Sequence, residues 1–206
     1  KIYTTETGTS SDFHRVKIFD KATFAYESTF GAFGDNPGQI NSAYNIQVDN
    51  SYIYIAEFGS SKRVQVFDKV TPWNSVRTYI EPFYSPLGLA IDNDIVYTTT
   101  PNNAEIRTNS LLSPYPYVVT LGGYYNSPDR QFYYPSALAV DNDYIYISDL
   151  GNSRIKIFKK DFNKEPAPND IVRDSLTNNF YGLGLSSSVI DEPSFETVRA
   201  YSKTDD

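Results

Sequence analysis

Three acids and three arginines recur in step along the chain. Glu6, Glu57 and Asp149 each end a short apolar run, and Arg15, Arg63 and Arg154 each open the next one. Two chemistries suit such a set. If the acids converge on one face, they would hold a hard cation such as calcium, which takes several oxygen ligands. If each acid meets the arginine of its own unit, the pair is a fixed structural contact. The partners are lost together. Where a third unit carries Thr100 in place of the acid, it carries Glu105 in place of the arginine. Joint loss is the mark of a local pair. The structural reading is therefore preferred, and Glu6, Glu57 and Asp149 stand as weak candidates for a metal, calcium being the ion they would take.

Other routes to catalysis lack parts. His14 is the only histidine. A histidine-based zinc site or a His-dependent lyase needs more than one imidazole, so His14 is read as an exposed loop residue. There is no Cys, which removes thiolate metal sites, Cys nucleophiles and disulfides. No Gly-x-Ser-x-Gly elbow occurs. Gly182-Leu183-Gly184-Leu185 lacks the rest of any phosphate-binding fingerprint. No catalytic or cofactor-binding residue is assigned, and the chain is expected not to be an enzyme.

Aromatic side chains give a second kind of site. Tyr124, Tyr125, Tyr133 and Tyr134 flank Asp129-Arg130 in the longest connector. Exposed, they would stack on sugar rings or form a protein-binding patch; otherwise they pack between sheets. Trp73 follows Pro72 in a loop and is a candidate anchor for a partner. The formal net charge is −7 and the basic residues are dispersed, so a nucleic-acid partner is not expected. No apolar run approaches the ~20 residues of a membrane-spanning helix, and no membrane insertion is expected. The chain starts at Lys1 and contains no Met. A processed N-terminus or a piece of a longer chain is the expectation.

The elements that position these residues are repeats. An Ile/Val-Tyr strand occurs four times: Ile2-Tyr3-Thr4, Ile53-Tyr54-Ile55, Val96-Tyr97-Thr98 and Ile145-Tyr146-Ile147. Before it come inner strands ending in Asp: Tyr44–Asp49, Leu87–Asp92 and Ser136–Asp141. Asp next to Asn supplies hairpin-turn chemistry. The inner strands are small and apolar, as expected of strands buried on both faces. After the Ile/Val-Tyr strand comes an alternating one: Arg15–Phe19, Arg63–Phe67 and Arg154–Phe158. Weaker outer strands are expected at Ala25–Phe30, Ser75–Ile80, Tyr117–Leu121 and Asp170–Arg173. Asp49 to Asp92 is 43 residues and Asp92 to Asp141 is 49, the period of four-stranded propeller blades. With 18 Tyr and 13 Phe, the composition also favours strands.

Residues 132–158 carry the fullest copy: Phe132, Pro135, Leu138-Ala139-Val140-Asp141, Ile145-Tyr146-Ile147-Ser148-Asp149 and Gly151-Asn152-Ser153-Arg154-Ile155-Lys156-Ile157-Phe158. This order resembles the NHL repeat of β-propellers, and residues 40–67 are a second good copy. The resemblance implies an all-β propeller of four-stranded blades. About five units follow, at 1–40, 41–84, 85–134, 135–180 and 181–206, with the first and last blades incomplete. The first unit lacks an inner strand and the last an outer one. NHL propellers are typically six-bladed, roughly 250 residues at this period. A segment of a longer chain, a small closed ring and an open arc completed by a neighbour are all compatible with this count.

Fold alone does not give function. The expected role is a non-catalytic scaffold, extracellular or on a cell or particle surface, that binds protein or assembles with copies of itself, a filament among the outcomes. A propeller hydrolase or lyase using a carboxylate-bound divalent cation is the alternative, and a carbohydrate-binding module a further one.

Overall fold

The computed structural model describes residues 1–80, 85–93, 95–110, 117–122 and 131–160. Among these residues there is no α-helix, and the strands form four small antiparallel sheets. The first sheet holds β1 (Ile2–Glu6), β2 (Arg15–Phe19) and β3 (Tyr26–Phe30). The second holds β4 (Ala43–Val48), β5 (Tyr52–Glu57), β6 (Arg63–Asp68) and β7 (Ser75–Ile80). The third holds β8 (Leu89–Asp92), β9 (Ile95–Thr100), β10 (Glu105–Ser110) and β11 (Tyr117–Gly122). The fourth holds β12 (Pro135–Val140), β13 (Tyr144–Asp149) and β14 (Arg154–Lys159). Each is a meander in chain order, and we call them blades 1 to 4. The expected outer strand at Asp170–Arg173 and the unit at 181–206 lie outside the described residues, as do Tyr124 and Tyr125.

Alternation sends each strand's two faces to two different neighbours. Ile53 and Ile55 on β5 pack against blade 1, in a core with Val16, Ile18, Phe30 and Phe67. Tyr54 and Ala56 on the opposite face join Val64, Val66, Leu89 and Val96 of the next contact. Ile106, Phe132, Ile145, Ile147 and Phe158 fill the contact between blades 3 and 4. Close approach there requires Gly88, where a Cβ would lie 2.4 Å from the Ser136 carbonyl oxygen.

The strands buried on both faces belong to the interior blades: the second strands β5 and β9, and β6. From the second residue on, every residue of β5 and β9 is buried. Of the inner strands, β4 and β12 depart from expectation. Tyr44 on β4 is 57% exposed, and Ala137 and Ala139 on β12 are exposed. β8, with β4 on one side and β12 on the other, has both Leu89 and Ala90 buried.

The turn aspartates do the predicted work in two blades. Asp49 accepts from the backbone N–H groups of Ser51 and Tyr52, both at 2.7 Å. Asp141 accepts likewise from Asp143 and Tyr144 at 2.9 and 2.8 Å. Each also takes the hydroxyl of a strand tyrosine, Tyr54 at 2.6 Å and Tyr146 at 2.8 Å. For Asp49, burial opposes ionisation, but the Tyr54, Tyr52 and Ser51 hydrogen bonds prevail and hold the carboxyl below its usual range. The Asp143 N–H does the same for Asp141. In blade 3 the carboxylate of Asp92 is taken instead by Lys160 from blade 4. There Tyr97 is buried and its hydroxyl has no hydrogen-bond partner.

Two predictions follow from this difference. Tyr54→Phe strips Asp49 of a donor and should cost about 1–1.5 kcal/mol, whereas Tyr97→Phe removes an unsatisfied hydroxyl and should be neutral or stabilising. Urea unfolding of the two variants checks the order; a larger loss for Tyr97→Phe would overturn it. A carboxyl depressed in the folded state adds stability above its unfolded pKa and loses it as pH falls through the folded value. Urea midpoints should therefore hold steady from neutral pH down to about 5 and drop below about 4. Asp49→Asn with Asp141→Asn should shrink that acid drop.

Candidate functional site

The register brings every acid opposite its arginine at the end of the hairpin: Glu6 with Arg15, Glu57 with Arg63 and Asp149 with Arg154. The arginine Nε donates to the acid at 2.7, 3.0 and 2.8 Å respectively. In blade 3, Thr100 faces Glu105, and Glu105 pairs instead with Arg107 at 3.2 Å on its own strand. The acids thus do not converge as a cation shell. Among the described residues no group of three or more His, Asp or Glu could hold a metal ion. A calcium ion at Glu6, Glu57 or Asp149 would have to displace the arginine each already holds, and the Glu57 and Asp149 side chains are fully buried.

These pairs do something the sequence did not disclose. They grip the segment that enters their blade. Glu57 Oε2 accepts from the Asn41 N–H at 2.8 Å, and Asp149 Oδ1 accepts from the Tyr133 N–H at 2.6 Å. Two residues earlier, the Gln39 carbonyl accepts from Arg63 Nη2 at 2.8 Å, and the Gln131 carbonyl accepts from Arg154 Nη2 at 3.0 Å. A third donor sits two positions along the same strand. Gln65 Nε2 reaches the Gln39 carbonyl at 2.6 Å, and Lys156 Nζ reaches the Gln131 carbonyl at 2.9 Å. Just beyond the grip, Ser42 and Tyr134 adopt left-handed φ values of 56° and 57°. That conformation costs a non-glycine residue about 1–2 kcal/mol, and the clamp holds the backbone in it as the chain turns into β4 or β12.

Blade 1 keeps the clamp residues in another arrangement. Lys17, two positions after Arg15, pairs with Glu6. The Glu6 carboxyl is held below its usual range by Lys17 and then by Arg15. The side chains of Glu6, Arg15 and Lys17 are 25, 33 and 29% exposed.

The remaining candidates separate clearly. Trp73 is half-buried and stacks on Phe30 of blade 1, centroids 5.5 Å apart and planes 14° apart, so its ring is used between blades. Tyr133 and Tyr134 are 60 and 41% exposed. His14 is not the exposed loop residue expected. It is buried, Nδ1 accepts from the Ser42 N–H at 3.2 Å, and the ring lies 4.7 Å from Phe33. The loop before β2 folds its end under the connector into blade 2, which sequence spacing does not reveal.

Removing Arg63 leaves Glu57 buried without its counter-charge, so Arg63→Ala should cost about 3–5 kcal/mol. Arg15→Ala, whose partner is partly in water and keeps Lys17, should cost far less. Equal losses in urea unfolding would contradict the difference in burial.

Known proteins place this geometry. The NHL repeat model matches residues 132–158, the stretch that contains Tyr133, Asp149, Arg154 and Lys156. No curated protein matches the chain. A functionally unknown protein from Desulfotomaculum acetoxidans DSM 771 has a similar crystal structure, with 13% identity and a TM-score of 0.54, covering 81% of this chain and 47% of that one. The computationally designed Ika8 protein is similar at 13% identity and a TM-score of 0.45, over 70% of this chain and 40% of its own. The chain thus spans less than half the length of these solved structures. Residues 132–158 thus match the NHL repeat, and the described residues around them form all-β, propeller-type blades.

Proposed function

We propose that this chain is a non-catalytic scaffold whose end blades bind protein, other copies of itself first. One observation carries the reading: both ends of the described array present halves of the contact that joins interior blades. On blade 4 the outward face carries Tyr146, Ser148, Ile155 and Ile157, where blade 2 has the buried Tyr54, Ala56, Val64 and Val66. Ile155 is 52% exposed, against 1% for Val64. On blade 1, Phe24 occupies the turn position at which Trp73 stacks in blade 2, and it is 72% exposed. Tyr26 beside it is 57% exposed and meets Phe19 edge-on at 6.0 Å. Exposed apolar surface of this kind, matched to a partner surface elsewhere on the same molecule, gives heterologous contacts that make rings or filaments. The Tyr-, Asn-, Ser- and Thr-rich composition suits display outside the cell or on a particle surface.

Light scattering after size exclusion, with electron microscopy of the same sample, tests this. The mass should rise with concentration towards rings or filaments. Ile155→Asp with Phe24→Asp should lower it while the thermal midpoint holds. A compact monomer at every concentration would end the self-assembly reading.

A further inference from the structure

His14 is buried at the junction of blades 1 and 2 and takes no part in the acid–arginine clamps. It closes the loop that runs from Thr7 through a short 3-10 turn at Ser11–Phe13 to the start of β2. Among the described residues, two hydrogen bonds tie that loop to the chain entering blade 2. Thr7 Oγ1 donates to the Ala43 carbonyl at 3.0 Å, and His14 Nδ1 accepts from the Ser42 N–H at 3.2 Å. The ring also lies 4.7 Å from Phe33, farther back on the same connector. Blade 2 holds the groups on either side. Glu57 takes the Asn41 N–H, and the Phe58 N–H donates to the Ser42 carbonyl at 3.0 Å. The Ser42 N–H is left to His14, and Ser42 is the residue held at a φ of 56°.

A neutral imidazole has one donor nitrogen and one acceptor. Nδ1 accepts here, so the proton sits on Nε2 and the ring is neutral in this contact. A second proton makes both nitrogens donors, and the ring in either orientation then sets a donor against the Ser42 N–H. It is also a buried charge, which needs a counter-charge. Among the described residues none is in place. On its own loop Asp12 is exposed and forms no ion pair with the ring. On the flanking strands Glu6 is held by Arg15 and Lys17. On the connector Asp35 accepts from Asn41, Ser60 and Ser61. In blade 2 Glu57 is held by Arg63, and Lys62 adds only positive charge.

From this geometry we infer that His14 is an acid-released latch: the neutral ring holds the Ser42 N–H, and uptake of a proton ejects the ring and frees its loop from the connector between blades 1 and 2. Histidine changes charge between about pH 5 and 8, so the switch falls in a range that surroundings can reach. Linkage fixes its direction. The latched state excludes a proton that the released loop accepts, so the contact stands on the alkaline side and is lost as pH falls. The apolar core between the two blades, Val16, Ile18, Phe30 and Ile40, does not depend on this contact, so the opening is local rather than an unfolding. Release uncovers more of Phe33, already 48% exposed, and frees the Ser42 N–H. This end of the two blades therefore presents a different surface in acid.

Two-dimensional NMR of the unaltered chain tests the latch. Protection of the Ser42 amide, corrected for its intrinsic exchange rate, should fall by about tenfold between about pH 7.5 and 5.5, the upper range for loss of one hydrogen bond. That fall should share its midpoint with the His14 ring resonances. The Asn41 amide next to it, held by Glu57, should not follow. His14→Asn offers an oxygen where Nδ1 stands and does not titrate, so it should keep Ser42 protected at both pH values. His14→Phe keeps a ring against Phe33 without the acceptor and should leave Ser42 unprotected at both. If either variant folds poorly by circular dichroism, the titration of the unaltered chain decides alone. A ring that titrates while Ser42 stays protected would overturn the latch, and so would a ring that stays neutral throughout.

Discussion

The contact on which the array depends is a buried carboxylate that serves two masters. Glu57 holds Arg63 across the hairpin and the Asn41 N–H of the incoming connector, and Asp149 does the same with Arg154 and Tyr133. A buried ion pair by itself is poor evidence of stability, since desolvation consumes most of its attraction. Here the spare valences are filled by backbone. The guanidinium donates to a connector carbonyl and the carboxylate accepts a connector N–H, so the charges are satisfied only when the connector lies in one register. The pair therefore converts a desolvation cost into a positional rule. That rule places the left-handed Ser42 or Tyr134 and aims the inner strand.

Everything downstream of that placement is apolar packing. Once an inner strand is aimed, the second strand behind it is sandwiched between neighbours and alternation decides which side chain meets which blade. Ile53 goes to one contact and Tyr54 to the other. Blade 3 shows the same end reached by neutral chemistry. Its buried Thr99 hydroxyl accepts from the Gly88 N–H and donates to the Ser136 carbonyl, each at 2.7 Å, tying β9 to the next blade without charge. Loss of the acid and arginine there is thus accompanied by a different tether.

Strands and blades were legible in the sequence because period-two alternation and a repeat of 43 to 49 residues are both written in side chains. The acid–arginine pairing was legible too, since both partners vanish together at Thr100 and Glu105. The connector grip was not. Its acceptors are the carbonyls of Gln39 and Gln131, and a main-chain carbonyl looks the same under any residue. The one available signal was the polar residue two positions after each arginine, Lys17, Gln65 and Lys156, on a strand otherwise alternating with apolar ones. Burial of His14 was invisible for a related reason: its partner is the Ser42 N–H, a backbone group in another blade. Exposure of Tyr44 on an inner strand is likewise not written in the sequence, because apolar character does not distinguish a strand buried on one face from one buried on both.

The end faces differ in what they ask of a neighbour. Blade 4 shows aliphatic surface at Ile155 and Ile157, which any apolar partner would cover. Blade 1 is selective. Its outer part is aromatic at Phe19 and Phe24, but its inner part carries Thr4 and Lys17 where blade 2 has Ile55 and Gln65. A partner that merely covered this face would strand Lys17, Arg15 and Glu6 away from water, at a cost that apolar contact at Phe24 would struggle to offset. The charges on blade 1, already paired among themselves and partly in water, thus make that face a poorer site for purely hydrophobic association than blade 4.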